Sequence, residues 1–212
     1  MFATRSEAGD RLAAELEGRG VEADVVLGIP RGALPVARPV ADALEADLDV
    51  VVARKLGAPN NPELALGAVA SDGSVWYNDA LIDRLDVSDD YLEEIRAEEA
   101  QNAREKADRY RDSPGLPDLE GERVLVVDDG VATGATATAC LRQVRAADAD
   151  YVGLAVPVGS PQSVADLEAE ADEVIALETP ENFRAVGQFY REFGQVTDEE
   201  AIAYLEGLGG RS

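Results

Sequence analysis

The chain has no histidine, one cysteine, one tryptophan and only two lysines, Lys55 and Lys106, among its 212 residues. Without histidine there is no imidazole to act as a base or a metal ligand. A single cysteine allows no internal disulfide, which fits a reducing cytoplasm. That residue, Cys140, falls on the apolar face of a helical pattern and reads as core rather than as a nucleophile. No apolar run approaches the ~20 residues that a membrane-spanning helix needs. The first ten residues are too polar for a secretory signal. Positive charge is scarce, with 19 basic residues against 43 acidic ones and a net charge of −24. A nucleic-acid partner is therefore disfavoured, because a phosphate backbone calls for a basic footprint.

What is present argues for a folded domain. Hydrophobic residues make up 46% of the chain, enough for a core in one domain or one domain with an elaboration. That content and the clear periodicities exclude disorder as the meaning of the acidity. The acidity reads instead as a surface suited to concentrated salt, which screens self-repulsion. The composition resembles that of proteins from extreme halophiles.

Short apolar runs at 25–29, 48–53, 124–127, 151–158 and 173–177 predict strands buried on both faces. Helical stripes at 6–18, 34–44, 135–147 and 163–169 lie between them, with Pro39 expected to kink the second or shift its start. This alternation predicts an α/β fold with an open parallel sheet flanked by helices. Residues 56–79 break the pattern and suggest a hairpin around Asp72-Gly73. Ser88 reads as the N-cap of a helix running to about residue 111. Its narrow apolar face, Leu92, Ile95, Ala103, Ala107 and Tyr110, predicts a surface position or a homodimer contact. Residues 113–117 then form a turn. After the last strand the regularity ends, and Phe183, Phe189, Tyr190 and Phe193 cluster in a chain with only 5% aromatics. Thr197 to Glu200 caps a final helix through Leu205. The division expected is a core at 1–177 and a small hood at 178–212.

The richest stretch is 122–136, Glu-Arg-Val-Leu-Val-Val-Asp-Asp-Gly-Val-Ala-Thr-Gly-Ala-Thr. A buried strand ends in two carboxylates, Asp128 and Asp129, and a small-residue loop leads into a helix. Ligands of open α/β sheets sit at the carboxyl ends of the strands. Gly130, Ala132, Gly134 and Ala135 let backbone N–H groups approach an anion, and the helix N-terminus adds unpaired donors. Thr133 and Thr136 can donate hydroxyl hydrogen bonds. The acids repel phosphate but can accept from vicinal sugar hydroxyls or join a Mg²⁺ shell. The ligand implied is a ribose phosphate.

Upstream, Arg31 stands between Pro30 and Gly32 at the end of the first strand. A planar guanidinium there suits a diphosphate, though a plain strand-to-helix turn with an exposed arginine would look the same. Arg54 and Lys55 follow the second strand, either as a second cationic site or as a solvated charged pair.

The 124–136 run resembles the phosphoribosyl-pyrophosphate (PRPP) signature of the type I phosphoribosyltransferases. The resemblance implies that Asp128 and Asp129 hold the ribose hydroxyls and contact Mg²⁺ indirectly, through PRPP and water. It further implies that Val131, Ala132, Thr133, Gly134, Ala135 and Thr136 form the 5′-phosphate loop, with Gly130 also among the substrate-binding residues. Pro30, Arg31, Gly32 and Ala33 would form the pyrophosphate loop, helped by Arg54 and Lys55, of which Lys55 is the better candidate. Residues 56–79 would be a mobile loop that closes over PRPP. The activity implied is Mg²⁺-dependent transfer of ribose 5-phosphate to a nitrogen nucleophile such as a nucleobase, with Arg31, Lys55, Asp128 and Asp129 carrying the chemistry. Phe183 could stack on that base or simply pack the hood. Ala132 stands where some purine enzymes of the family carry a further acid. A PRPP-sensing regulator of the same fold is the alternative.

Overall fold

The computed structural model describes residues 1–111 and 115–207. Ser113 and Pro114 of the expected turn, and residues 208–212 of the hood, lie outside the described residues. Five parallel strands form the central sheet: β1 (Val25–Gly28), β2 (Asp47–Val50), β6 (Arg123–Val127), β7 (Tyr151–Val158) and β8 (Glu173–Glu178). Their order is β2-β1-β6-β7-β8. The fold is therefore α/β, with a parallel sheet flanked by helices.

Strand alternation explains why the runs are apolar throughout. In β6, Val124 and Val126 face one core layer and Leu125 and Val127 the other, all four fully buried. One layer is closed by α5 (Ala135–Ala146) through Ala137, Cys140, Leu141 and Val144. The opposite layer is closed by α1 (Arg5–Arg19) and α2 (Leu34–Leu44) through Leu12, Leu16, Val36 and Val40. Truncating one such leucine to alanine costs about 2–5 kcal/mol, so each run is tightly specified. Pro39 lies inside α2, which keeps its predicted bounds.

The strand predicted over 48–53 divides. β2 ends at Val50, and β3 (Ala53–Ala58) opens a second, antiparallel sheet with β4 (Asn61–Ala70) and β5 (Val75–Tyr77). The division occurs because the ladder to β1 stops at Gly28↔Val50, while Val52 already accepts from Ser71 N across the hairpin. The predicted hairpin at Asp72-Gly73 is the β4–β5 turn, with Gly73 at φ +97°. A short α3 (Asp79–Leu85) follows, and then α4 (Asp89–Asp108), whose N-cap Ser88 accepts from Tyr91 N as expected.

The apolar face of α4 is covered in part within the chain. Leu92 and Ile95 pack on Leu56, Leu66 and Val69 of the hairpin sheet. Ala103 and Ala107 pack on Leu34, Val50 and Ala201, beside Tyr110. Ala103 and Ala107 are thus intramolecular core, while Leu92, Ile95 and Tyr110 stay partly exposed. Two short helices complete the fold, α6 (Pro161–Leu167) capped by Ser160 and α7 (Asp198–Leu205) with the predicted Thr197–Glu200 capping box.

Candidate functional site

The register Gly28↔Val127 brings the carboxyl ends of β1 and β6 level, and β7 runs past them from Ala155 to Val158. The chain leaves β1 toward β2 on one side and returns with β6 on the other. Loops diverge at such a point and leave a crevice between them. The Pro30–Ala33 turn and the Asp128–Gly134 loop flank it.

The 128–134 loop is pinned at its base and open at its tip. Val131 N donates to Val158 O, and Ser160 N donates to Val131 O, both at 2.9 Å. The hydroxyls of Ser160 and Ser163 both donate to Ala132 O, at 2.9 and 2.6 Å. Gly134 takes φ +77° and caps α5 without a side-chain hydrogen bond, which leaves the first-turn amides available. These amides face a cavity of about 170 Å³ lined by Lys55, Asp128, Gly130 through Ala137, and Val186. Among the described residues, the Thr133 and Thr136 hydroxyls have no protein partner. The arrangement leaves backbone amides and two hydroxyls open beside the Asp128 carboxylate and Lys55.

The two acids are held differently. Asp128 Oδ1 accepts from Asp129 N at 2.8 Å. Burial, and then the charge of Asp129, push the Asp128 carboxyl well above its ordinary value. Asp129 Oδ2 accepts from Arg5 Nε at 2.6 Å, and its backbone oxygen accepts from the Tyr190 hydroxyl at 2.6 Å. Burial raises Asp129 too, and the hydrogen bond and charge of Arg5 act against that rise. A Cβ on Gly32 would stand 2.4 Å from Asp129 Oδ2, so only glycine lets the first turn pack against this carboxylate.

The remaining predicted residues are distributed unevenly. Lys55 lines the cavity. Arg54 turns away to meet Glu99, with Nε 2.9 Å from Oε2, because adjacent strand residues point to opposite faces. Pro30 and Arg31 share a cis peptide bond. Arg31 is half-exposed and points to Asp198 at the start of α7, 3.5 Å away, where Tyr110 also donates to Asp198. Ala33 is buried and precedes α2. Phe183 lies in the hood's aromatic cluster, its ring 5.1 Å from that of Phe189, and does not line the cavity. The hood residue at the loop is Val186, whose Cγ1 is 2.6 Å from the position a Gly130 Cβ would take. Cys140 is buried, and burial pushes its thiol up, consistent with core.

Four residues near the site are not marked for it by the sequence: Arg5, Lys106, Tyr190 and Asp198. Lys106 Nζ donates to Pro30 O at 2.7 Å, and burial plus the charges of Arg54 and Arg31 pull its pKa down. The scarcity of lysine that marked Lys55 applies equally to Lys106. No local pattern marks the other three, since their partners lie 61 or more residues away.

Comparisons with known proteins agree with this geometry. The "Putative phosphoribosyl transferase" of Mycobacterium tuberculosis is 43% identical over 206 residues, covering 97% of this chain and 46% of that protein. The chain thus spans about half the length of that curated relative. An amidophosphoribosyltransferase of Methanocaldococcus jannaschii is 30% identical over 146 residues, covering 68% of this chain and 28% of that protein. The crystal structure of TT1426 from Thermus thermophilus superposes with a TM-score of 0.81 at 44% identity, covering 99% of this chain and 100% of that one. The family model for the phosphoribosyl transferase domain matches residues 4–193, and on that match the chain belongs to the phosphoribosyl transferase domain family.

Proposed function

We propose that this chain transfers the 5-phosphoribosyl group of PRPP to a nitrogen nucleophile, a nucleobase or a close relative, and releases pyrophosphate. The observation that carries the reading is one cavity that gathers Asp128, the open amides of α5 and Lys55. The amides and the Thr133 and Thr136 hydroxyls would hold the 5′-phosphate, and Asp128 and Asp129 the ribose hydroxyls. Lys55 and the turn containing Arg31 and Gly32 would receive the diphosphate. In the transfer the bond from C1 to the pyrophosphate oxygen breaks, and a bond from C1 to the acceptor nitrogen forms. Holding both phosphate ends orients C1, and cations near the leaving group stabilise its charge. Arg31 must leave Asp198 to join in.

Mg²⁺ suits this site as a companion of the substrate. Among the described residues no cluster of three or more acidic, histidine or cysteine side chains could hold a metal alone. A Mg²⁺ carried on the diphosphate, keeping several of its waters, would meet Asp128 and Asp129 through those waters and PRPP. When bound, the ion would neutralise pyrophosphate charge. The turn between β3 and β4, at Pro59-Asn60, is the segment we assign to closure over PRPP, which would exclude water from the transfer. The acidic surface supports a salt-rich cytoplasm as the setting. Among the described residues no helix is long and apolar enough to cross a membrane.

A PRPP sensor without chemistry is the second reading. It is favoured by Ala132, which offers no carboxylate to an acceptor, and by the engagement of Arg31 with Asp198. Pyrophosphate release from PRPP, followed at molar KCl with Mg²⁺ and a panel of purine and pyrimidine bases, separates the two. Base-dependent release is expected. PRPP binding without release would establish the sensor, and no binding would refute both.

A further inference from the structure

Arg5 is the first residue of α1, 124 residues from Asp129 in sequence, yet its guanidinium reaches that carboxylate. Nε donates to Asp129 Oδ2 at 2.6 Å, and Nη1 donates to Gly194 O at 2.8 Å. The guanidinium carbon lies 3.7 Å from the centroid of the Phe193 ring. The side chains of Arg5 and Asp129 are only 12% and 14% exposed. A pair this enclosed is not a solvated surface bridge, which would be worth little.

We propose that Arg5 is a positioning residue that orients Asp129 for the ribose of PRPP. The inference rests on the PRPP reading above and deepens it. A carboxylate has two oxygens and a rotatable side chain, and unguided it could turn away from a sugar. Arg5 fixes one oxygen with a charge-assisted hydrogen bond, and Gly32 leaves no space for the carboxylate to retreat toward the first turn. The second oxygen, Oδ1, has no other protein partner among the described residues and remains available to a sugar hydroxyl. Because the same guanidinium stacks on Phe193 and holds Gly194, the position of the hood is tied to the orientation of Asp129. The substrate's ribose and the cover above it are thereby linked through one side chain.

The test is titration calorimetry of the full chain with PRPP, Mg²⁺ present, for the wild type, Arg5→Met, Arg5→Lys, Phe193→Leu and Arg11→Met. Arg11 lies on the same helix and also stacks on a ring, that of Phe2, but it pairs only with Glu7 and Glu178. Melting and near-ultraviolet circular dichroism verify the native fold of each. Arg5→Met should weaken PRPP roughly ten- to a hundred-fold, the value of one charge-assisted hydrogen bond. Arg5→Lys should recover most of that loss, since the charge returns. Phe193→Leu and Arg11→Met should bind like the wild type. If Arg5→Met does not fold, Arg5→Gln, which keeps a donor without the charge, should show the weakening instead. Equal weakening by Arg5→Met and Phe193→Leu would show that Arg5 only latches the hood, and the proposal would fall. Unchanged affinity in a folded Arg5→Met, or no recovery in a folded Arg5→Lys, would overturn it while leaving the PRPP reading intact. A wild type that does not bind PRPP would overturn both.

Discussion

Asp128 illustrates how a candidate site residue works against the stability of its own fold. Its carboxylate is enclosed at the end of β6 beside a second acid, and both burial and Asp129 raise its pKa. The hydrogen bond from Asp129 N, then Lys106 and Arg5, offset this only in part. Between the unfolded value of 3.8 and the raised native value, the native state holds more protons than the unfolded one. Stability therefore falls as pH rises through that window, and at neutral pH the charged group is a net cost. Asparagine at this position carries no charge and can still accept from Asp129 N. Asp128→Asn should accordingly melt at a higher temperature than the wild type at pH 7. The gap should close as pH falls below 3.8, where both proteins are neutral at this position. Paired thermal melts across that range check the expectation.

At the scale of elements, local chemistry was legible and long-range contact was not. The strands at 25–28, 123–127 and 151–158 announce themselves as apolar runs because each is buried on both faces, whereas the edge strand at 173–178 is buried only in part. Ser88, Ser160 and Thr197 cap their helices through partners three residues away, within reach of a sequence pattern. The 128–136 loop stood out for the same reason, since its strand, turn and helix are contiguous. The break between β2 and β3 was not, because it depends on Ser71 bonding Val52 from across a hairpin. The α4 face was assigned to a surface or a partner, since nothing in residues 89–108 tells which other segment covers them. The hood expectation was similarly incomplete. Phe2 N donates to Phe189 O, and Arg191 N and Glu192 N donate to Phe2 O and Ala3 O. The first three residues are therefore stitched to the segment read as a hood beginning at 178. Phe183 belongs to the aromatic packing there, while Val186 stands over Gly130.

For the molecule as a whole, the excess of negative charge dominates. Exposed pairs such as Arg11–Glu178 and Arg145–Asp172 contribute about 0.2–1 kcal/mol each and weaken when screened. Against them stands the mutual repulsion of a chain with net charge −24. Screening relieves that repulsion over distances beyond about 10 Å at 0.1 M salt and closer still at 1 M. The relief outweighs the loss of a few surface pairs, so the melting temperature should rise from low to molar KCl. A melting temperature independent of KCl would contradict the salt-adapted reading of the surface.

The central claim is that the crevice between β1 and β6 captures PRPP through the acidic pair. Titration of PRPP into the wild type and into the double variant Asp128→Asn, Asp129→Asn measures this directly. The wild type should bind saturably, and the folded double variant should give no measurable binding. Equal affinity in the two folded proteins would contradict the assignment of the site.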